Sequence, residues 1–284
     1  MSQNKDNGIF AYIVMNIYTD LDYFIMAAGR KYLYTFIAVV IVVVVIVSAF
    51  EIPALEKPKQ TLPLSEYYKV SSSDLLNDSQ NAVYFISWYG CPIGADNSWV
   101  LYSLINGTRN ITSDVVLHKS IAGTPGLLFL NNSSGSAMGE KGETIPFSYG
   151  GVPFNFTSLY VYNQTLTGSI TNQPIANNDR ISFGLNFLQN NLPNSVYQVA
   201  KKWETQVNEQ NQSQPIAELS GHLVTMVILT GPDGTYVHFW FMYPSLSSSV
   251  LPSTVYSHLS TYTSIEDATI QLITALGGVN SKCA

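Results

Sequence analysis

Charge is what this chain has least of. It carries 13 Lys and Arg and 19 Asp and Glu in 284 residues, so charged side chains are 11% of the whole, against roughly 25% in ordinary soluble domains. The balance is −6, which excludes electrostatic binding to nucleic acid. Histidine is scarce as well. His118, His222, His238 and His258 show no short ligand spacing, and beside a single motif cysteine they do not read as a zinc site. A blue-copper centre needs His and Met soon after its cysteine, and neither follows Cys91 within about ten residues. There is no phosphate loop, no Gly-x-Ser-x-Gly elbow, no nucleotide fingerprint and no internal repeat. No cofactor and no metal is expected.

Uncharged hydrogen-bonding residues take the place of the missing charge. Asn, Ser, Thr, Gln and Tyr crowd stretches such as Ser245 to Ser264, SLSSSVLPSTVYSHLSTYTS. A surface of such groups hardly changes with pH, which would suit a domain facing an acidic exterior.

One segment is free of charge for a different reason. Tyr32 to Phe50, YLYTFIAVVIVVVVIVSAF, is 19 uncharged residues, long enough at 1.5 Å per residue for the roughly 30 Å core of a bilayer. Tyr32, Tyr34 and Phe50 mark its ends, as aromatic rings do at an interface. An uninterrupted β-branched run has no polar face to offer water, so a buried core helix fits less well. Arg30 and Lys31 precede it and Glu51 follows, so positive-inside logic puts the N-terminus in the cytoplasm and the rest outside. Eight Asn-x-Ser/Thr sequons (Asn77, Asn106, Asn110, Asn131, Asn132, Asn155, Asn163 and Asn211) all lie beyond the span, as expected of a glycosylated exterior domain. A cleaved signal peptide, with Val47-Ser48-Ala49 as its cleavage site, is the competing reading. The long leader and apolar run count against it.

The expected organisation is a cytoplasmic segment over 1–31, a single membrane helix over 32–50, an extended linker over 51–66 and an exterior domain over 67–284. The linker is punctuated by Pro53, Pro58 and Pro63. The aromatic-rich stretch Ile9 to Met26 is either an interfacial helix, a contact for a partner in the membrane, or an unstructured tail.

Within the exterior domain the pattern alternates. Ala82 to Tyr89 reads as a strand, Pro92 to Ile105 as a helix and Asp114 to His118 as a strand. Gly126 to Leu130 and Phe154 to Tyr162 are further strands, and Ile181 to Leu192 and Val196 to Val207 further helices. The first helix presents Ala95, Trp99, Tyr102 and Ile105 as a core stripe, with Asn97 off the stripe and expected to tolerate alanine. His222 to Tyr243 reads as two strands, apolar on both faces, joined by Gly231-Pro232-Asp233-Gly234. Ser264 and Asp267 suggest a capping box for a last helix, ended at Gly277-Gly278. Strand, helix, strand, hairpin and final helix is an α/β order that predicts a thioredoxin-like domain with large insertions.

The chemistry-bearing stretch is FISWYGCPIGADNSW, Phe85 to Trp99. A strand delivers Cys91 to a helix N-terminus, where unpaired N–H groups and the helix dipole favour thiolate. Pro92 suits the first helical turn. A dithiol enzyme needs a resolving thiol one turn on, and Gly94 stands there. Cys283 is the one other cysteine. Three readings stay open: a structural Cys91–Cys283 disulfide, a free and non-catalytic Cys91, or a working single thiol. Thioredoxin-like sites also set a cis-proline against the cysteine, and Pro153, then Pro125, are the candidates.

VYFISWYGCPIGADNSWVLY, with TPGLLF, LYVYNQTLTG and GHLVTMVILTGPDGTYVH, resembles an archaeal membrane-anchored family of unknown function grouped with thioredoxin-like proteins. The resemblance runs from about Val83 to Tyr243 and implies a thioredoxin-like fold, not a reaction. Two functions follow. One is a membrane-anchored binding or assembly protein, not an enzyme, whose partners are the membrane and a membrane-protein complex or other cell-surface protein. The alternative is an extracytoplasmic thiol–disulfide protein that uses Cys91 as a single-thiol catalytic residue.

Overall fold

A computed structural model describes residues 65–76, 80–130, 144–208, 212–242 and 245–283, with the backbone alone of Cys283. The expected membrane span and the segments before it lie outside the described residues. Among those described, no helix is long and apolar enough to cross a membrane.

The fold is mixed α/β. In chain order the elements are β1 (Tyr68–Ser71), β2 (Asn81–Ser87), α1 (Pro92–Asn106), β3 (Val115–Lys119), β4 (Pro125–Phe129), β5 (Thr144–Tyr149), β6 (Val152–Tyr160), α2 (Arg180–Asn191), α3 (Asn194–Thr205), α4 (Ile216–Ser220), β7 (Met226–Gly231), β8 (Gly234–His238), α5 (Pro252–Ser257) and α6 (Thr263–Val279). Six strands form one sheet in the order β1-β8-β7-β2-β6-β5, and β3 and β4 form a separate two-stranded sheet. Strands β2 and β6 run parallel, and β2 pairs antiparallel with β7 on its other side. A parallel neighbour needs a crossover, and α1 with the β3–β5 region makes up that connection.

The sheet has a core on each face, which is why its central strands are apolar throughout. On β2, Val83 and Phe85 face a cluster shared with α1 and α6, while Ala82, Tyr84 and Ile86 face one shared with α2, α3 and α4. The same alternation splits β7 into Val227 and Leu229 against Met226 and Ile228. The expected stripe of α1 is in place: Ala95, Trp99, Tyr102 and Ile105 are all buried. Trp99 Nε1 donates to the carbonyl of Pro125 at 2.9 Å, and β4 reaches the helix because residue 126 is glycine. A Cβ there would sit 2.6 Å from both Cα and Cβ of Ala95.

Three expectations need correction. Asn97 is not a tolerant surface position. It is fully buried, and its amide bridges the chain after β8, donating to Phe239 O (2.7 Å) and accepting from Phe241 N–H (2.9 Å). The Ser264 capping box is not formed, since α6 begins at Thr263 with no side-chain cap. The helix also runs through Gly277 and Gly278 to Val279. Packing against the sheet holds it there: a Cβ on Gly278 would meet the Tyr236 hydroxyl at 2.7 Å.

Candidate functional site

The thiol site is built where β2 ends. The turn Trp88-Tyr89-Gly90-Cys91 is fixed by Tyr89 N–H to Tyr162 O (3.1 Å) and Cys91 N–H to Trp88 O (3.1 Å). Cys91 takes an extended conformation as the N-cap of α1, and its carbonyl accepts the first helical bond, from Ala95 N–H at 2.9 Å. The side chain is 6% exposed and its thiol is free.

Thr225, in the segment entering β7, faces the sulfur and donates its hydroxyl to Sγ at 2.9 Å. Ser87, the last residue of β2, contacts Thr225 Oγ1 at 2.8 Å. Both hydroxyl residues are buried. Burial raises the thiol pKa. Hydrogen bonds from Thr225, from the N–H groups of Gly94 and Ile93 and from Ser87 pull it the other way, but less. The expected thiolate at the helix terminus is therefore overturned. The helix N–H groups do reach the sulfur, but the low-dielectric surroundings penalise the charge more than they stabilise it.

Gly94 has a steric reason. A Cβ at this position would collide with Ser87 Oγ and stand 3.1 Å from Thr225 Oγ1 and 3.2 Å from Cys91 Cβ. The space a resolving thiol would need is filled by the two hydroxyl side chains. Gly90 is closed off similarly, against Trp88 and the carbonyl of Gln164.

The surroundings hold titratable groups in their neutral forms. His118 Nε2 donates to Tyr89 O at 2.6 Å, and burial lowers its pKa. His222 Nδ1 lies 2.7 Å from Leu223 O, its ring edge-on to Trp88, and burial lowers its pKa too. Glu204 of α3 is fully buried, and both carboxyl oxygens meet the Val224 N–H, at 3.1 and 3.2 Å. Burial pushes this carboxyl well above the usual range. Glu204 thus anchors the residue next to Thr225. The site holds a protonated thiol, two neutral imidazoles and a carboxyl that favours its neutral form, and among the described residues no base is aimed at the sulfur.

The two cysteines are not brought together. Asn280 Nδ2 donates to Asn81 Oδ1 (3.1 Å) and Ser281 N–H to Asp233 Oδ2 (2.7 Å), which ties the C-terminal segment to the start of β2. From there Ser281–Cys283 makes a 3₁₀ turn, advancing about 2 Å per residue. Cys91 lies past the other end of β2, roughly 20 Å along the strand, and a disulfide needs Cα atoms within about 7 Å. The structural-disulfide reading fails on reach. Nor does Pro153, the first candidate proline, face the sulfur. Pro153 opens β6 at the far end of the sheet, its carbonyl bonded to Asn81 Nδ2, and the carbonyl of Pro125 is held by Trp99.

Of the sequons, Asn77, Asn131, Asn132 and Asn211 lie outside the described residues. Asn110 is exposed, its Oδ1 accepting from Thr112 N–H at 3.0 Å. Asn155 donates to Gln80 Oε1, Asn163 to Thr167 Oγ1, and Asn106 Oδ1 accepts from Ile111 N–H.

Ser87, Thr225 and Glu204 escaped the sequence reading, though each left a trace. Glu204 shares a helical stripe with Val196, Ala200 and Trp203, and Thr225 interrupts the apolar run HLVTMVIL.

Fold and site together define an α/β domain organised around a sealed, hydrogen-bonded thiol. The chain belongs to a family described as a domain of unknown function (DUF929), whose family model matches residues 66–276. No curated protein matches the chain, and no solved structure does.

Proposed function

We propose that this chain is a membrane-anchored protein whose exterior domain, a thioredoxin-like scaffold with large insertions, serves binding or assembly at the membrane and does not catalyse thiol–disulfide exchange. The scaffold reading is supported by the order β6-β2-β7-β8 with β2 and β6 parallel, by α1 leaving β2 at a cysteine, and by the β7–β8 hairpin followed by α6. The Tyr32–Phe50 run behind Arg30 and Lys31, with all sequons beyond it, supports a single-pass surface glycoprotein with its N-terminus inside.

The observation that carries the non-catalytic reading is the filled space at Gly94. A mixed disulfide on Cys91 would need both access for a second sulfur and a thiol to release it. Ser87 and Thr225 occupy that volume.

A second reading rests on a specific observation: two hydroxyls and two main-chain N–H groups point at Sγ. If the cover opened, those donors would stabilise a thiolate, and Cys91 would act as a single-thiol redox site. One experiment separates the two. Membranes holding the wild-type protein or Cys91→Ser are compared by native electrophoresis and by non-reducing gels. The binding reading expects complexes of the same size from both and no reducible adduct. Mixed disulfides that vanish in Cys91→Ser would establish the redox reading instead. Protease added to whole cells should remove the exterior domain, and its protection until lysis would reverse the orientation.

A further inference from the structure

At the other end of α1 lies a cleft of about 570 Å³, between the last turns of α1, the α5 region and the first turns of α6. Its volume is within the range of small-ligand sites. The wall is aromatic: the rings of Tyr102 and Tyr256 are 5.6 Å apart and tilted by 43°, and the Tyr102 hydroxyl donates to that of Tyr256 at 3.1 Å. The Tyr256 hydroxyl accepts that bond and keeps its own proton to donate.

Around these rings stand Ser103, Asn106, Ser260 and Glu266. Among the described residues the Ser103 and Ser260 hydroxyls, the Asn106 Nδ2 and the Glu266 carboxylate have no hydrogen-bonding partner, whereas Asn106 Oδ1 is spent on Ile111 N–H. One cleft therefore collects an amide donor, a phenol donor, two hydroxyls that serve either way and a carboxylate acceptor. Among the described residues no Lys or Arg lines it, so they offer nothing to a phosphate or a carboxylate. Vicinal hydroxyls on a ring with an apolar C–H face match this set: the face lies on the half-buried Tyr256 ring, which the buried Tyr102 backs, and the diol bonds to the carboxylate and amide.

We propose that this cleft binds a neutral sugar unit of a glycan. The proposal does not depend on the reading of Cys91. Two sources share the chemistry, since Asn106 also heads the sequon Asn106-Gly107-Thr108: a glycan presented by another molecule, or a glycan carried on Asn106 itself.

The test uses the full chain in detergent, produced in a host that attaches no N-glycans, titrated by NMR with glucose, galactose, mannose, N-acetylglucosamine and their disaccharides. At least one should bind saturably. Glu266→Gln and Ser260→Ala, both at exposed positions, should each weaken binding several-fold, Tyr256→Ala should abolish it, and Cys91→Ser should leave it unchanged. For the second source, protein from a glycosylating host should carry a glycan on Asn106 and bind free sugar only when the sequon is removed by Thr108→Ala. Overturning results are no saturable binding by any sugar to the unglycosylated chain, binding indifferent to Glu266→Gln and Tyr256→Ala, or uptake of tetramethylammonium in preference to every sugar.

Discussion

Helix α1 has two ends with opposite characters. At its N-terminus, Cys91, Ser87 and Thr225 are buried and bonded to one another. At its C-terminus, Tyr102 and Asn106 border an open cleft whose polar groups keep unspent bonding capacity. The reactive residue type marks the closed end, and common residue types mark the open one. What a side chain can do for a ligand is set by its access and by the bonds it has left to make, and a motif reports neither.

The comparison can be broken from the helix itself. Trp99 lies between the two ends, fully buried and bonded to Pro125 O, so Trp99→Ala should cost about 3–5 kcal/mol of stability and disturb both ends. Denaturant unfolding measures this, and a loss below about 1 kcal/mol would mean that α1 is not the spine described here.

Asn97→Ala should come next. It orphans Phe241 N–H and Phe239 O, each costing about 1–3 kcal/mol when buried. Its melting shift should exceed that of Asn110→Ala, whose side chain is exposed.

Gly94→Ala sharpens the account of the closed end. The added methyl meets Ser87 Oγ, and overpacking of this kind costs about 1–3 kcal/mol. In a Ser87→Ala background the obstructing hydroxyl is gone, so the same change should cost less. Equal costs in the two backgrounds would show that the space is not filled as described.

The smallest effect is a pH dependence. Burial pushes Asp96, beside Asn97 on α1, up to about 6, against hydrogen bonds from Ser245, Leu246 N–H and Trp240. The fold therefore binds this proton more tightly than the unfolded chain, so the associated stability is complete below about pH 4 and is lost as pH rises to about 6. Asp96→Asn keeps the oxygen that accepts Leu246 N–H and should gain on the wild type across that window, with no further change above it. The buried His238 acts in the opposite sense. Burial lowers His238 to about 4, so its contribution is present above about pH 6.5 and lost as pH falls to about 4. The interior contains groups that act in both directions, so the mutant difference is the quantity to measure.

Much of the framework was legible in the residues. Strands apolar on both faces, the α1 stripe and the Gly231–Gly234 turn carry local signals that tertiary packing reinforced. Strand β5 was missed because TIPFSY contains a proline and pairs only at the sheet edge. The end of α6 was missed because two glycines usually stop a helix, and here the sheet supports one through them. At the site, Cys91 and Pro92 were visible from their spacing, but Thr225 lies 134 residues from Cys91, and no local pattern reports which side chain will face a thiol across a sheet. Desolvation, which reverses the expected pKa shift, is likewise a property of the assembled fold.

The most direct test is the reactivity of Cys91 in the native protein, followed by mass spectrometry of the peptide that carries it. A sealed, protonated thiol predicts that iodoacetamide at pH 7 leaves this peptide unmodified under native conditions and modifies it fully in denaturant. Rapid native alkylation that persists below pH 7 would contradict the account, because it requires an exposed thiolate at a helix terminus that this geometry does not provide.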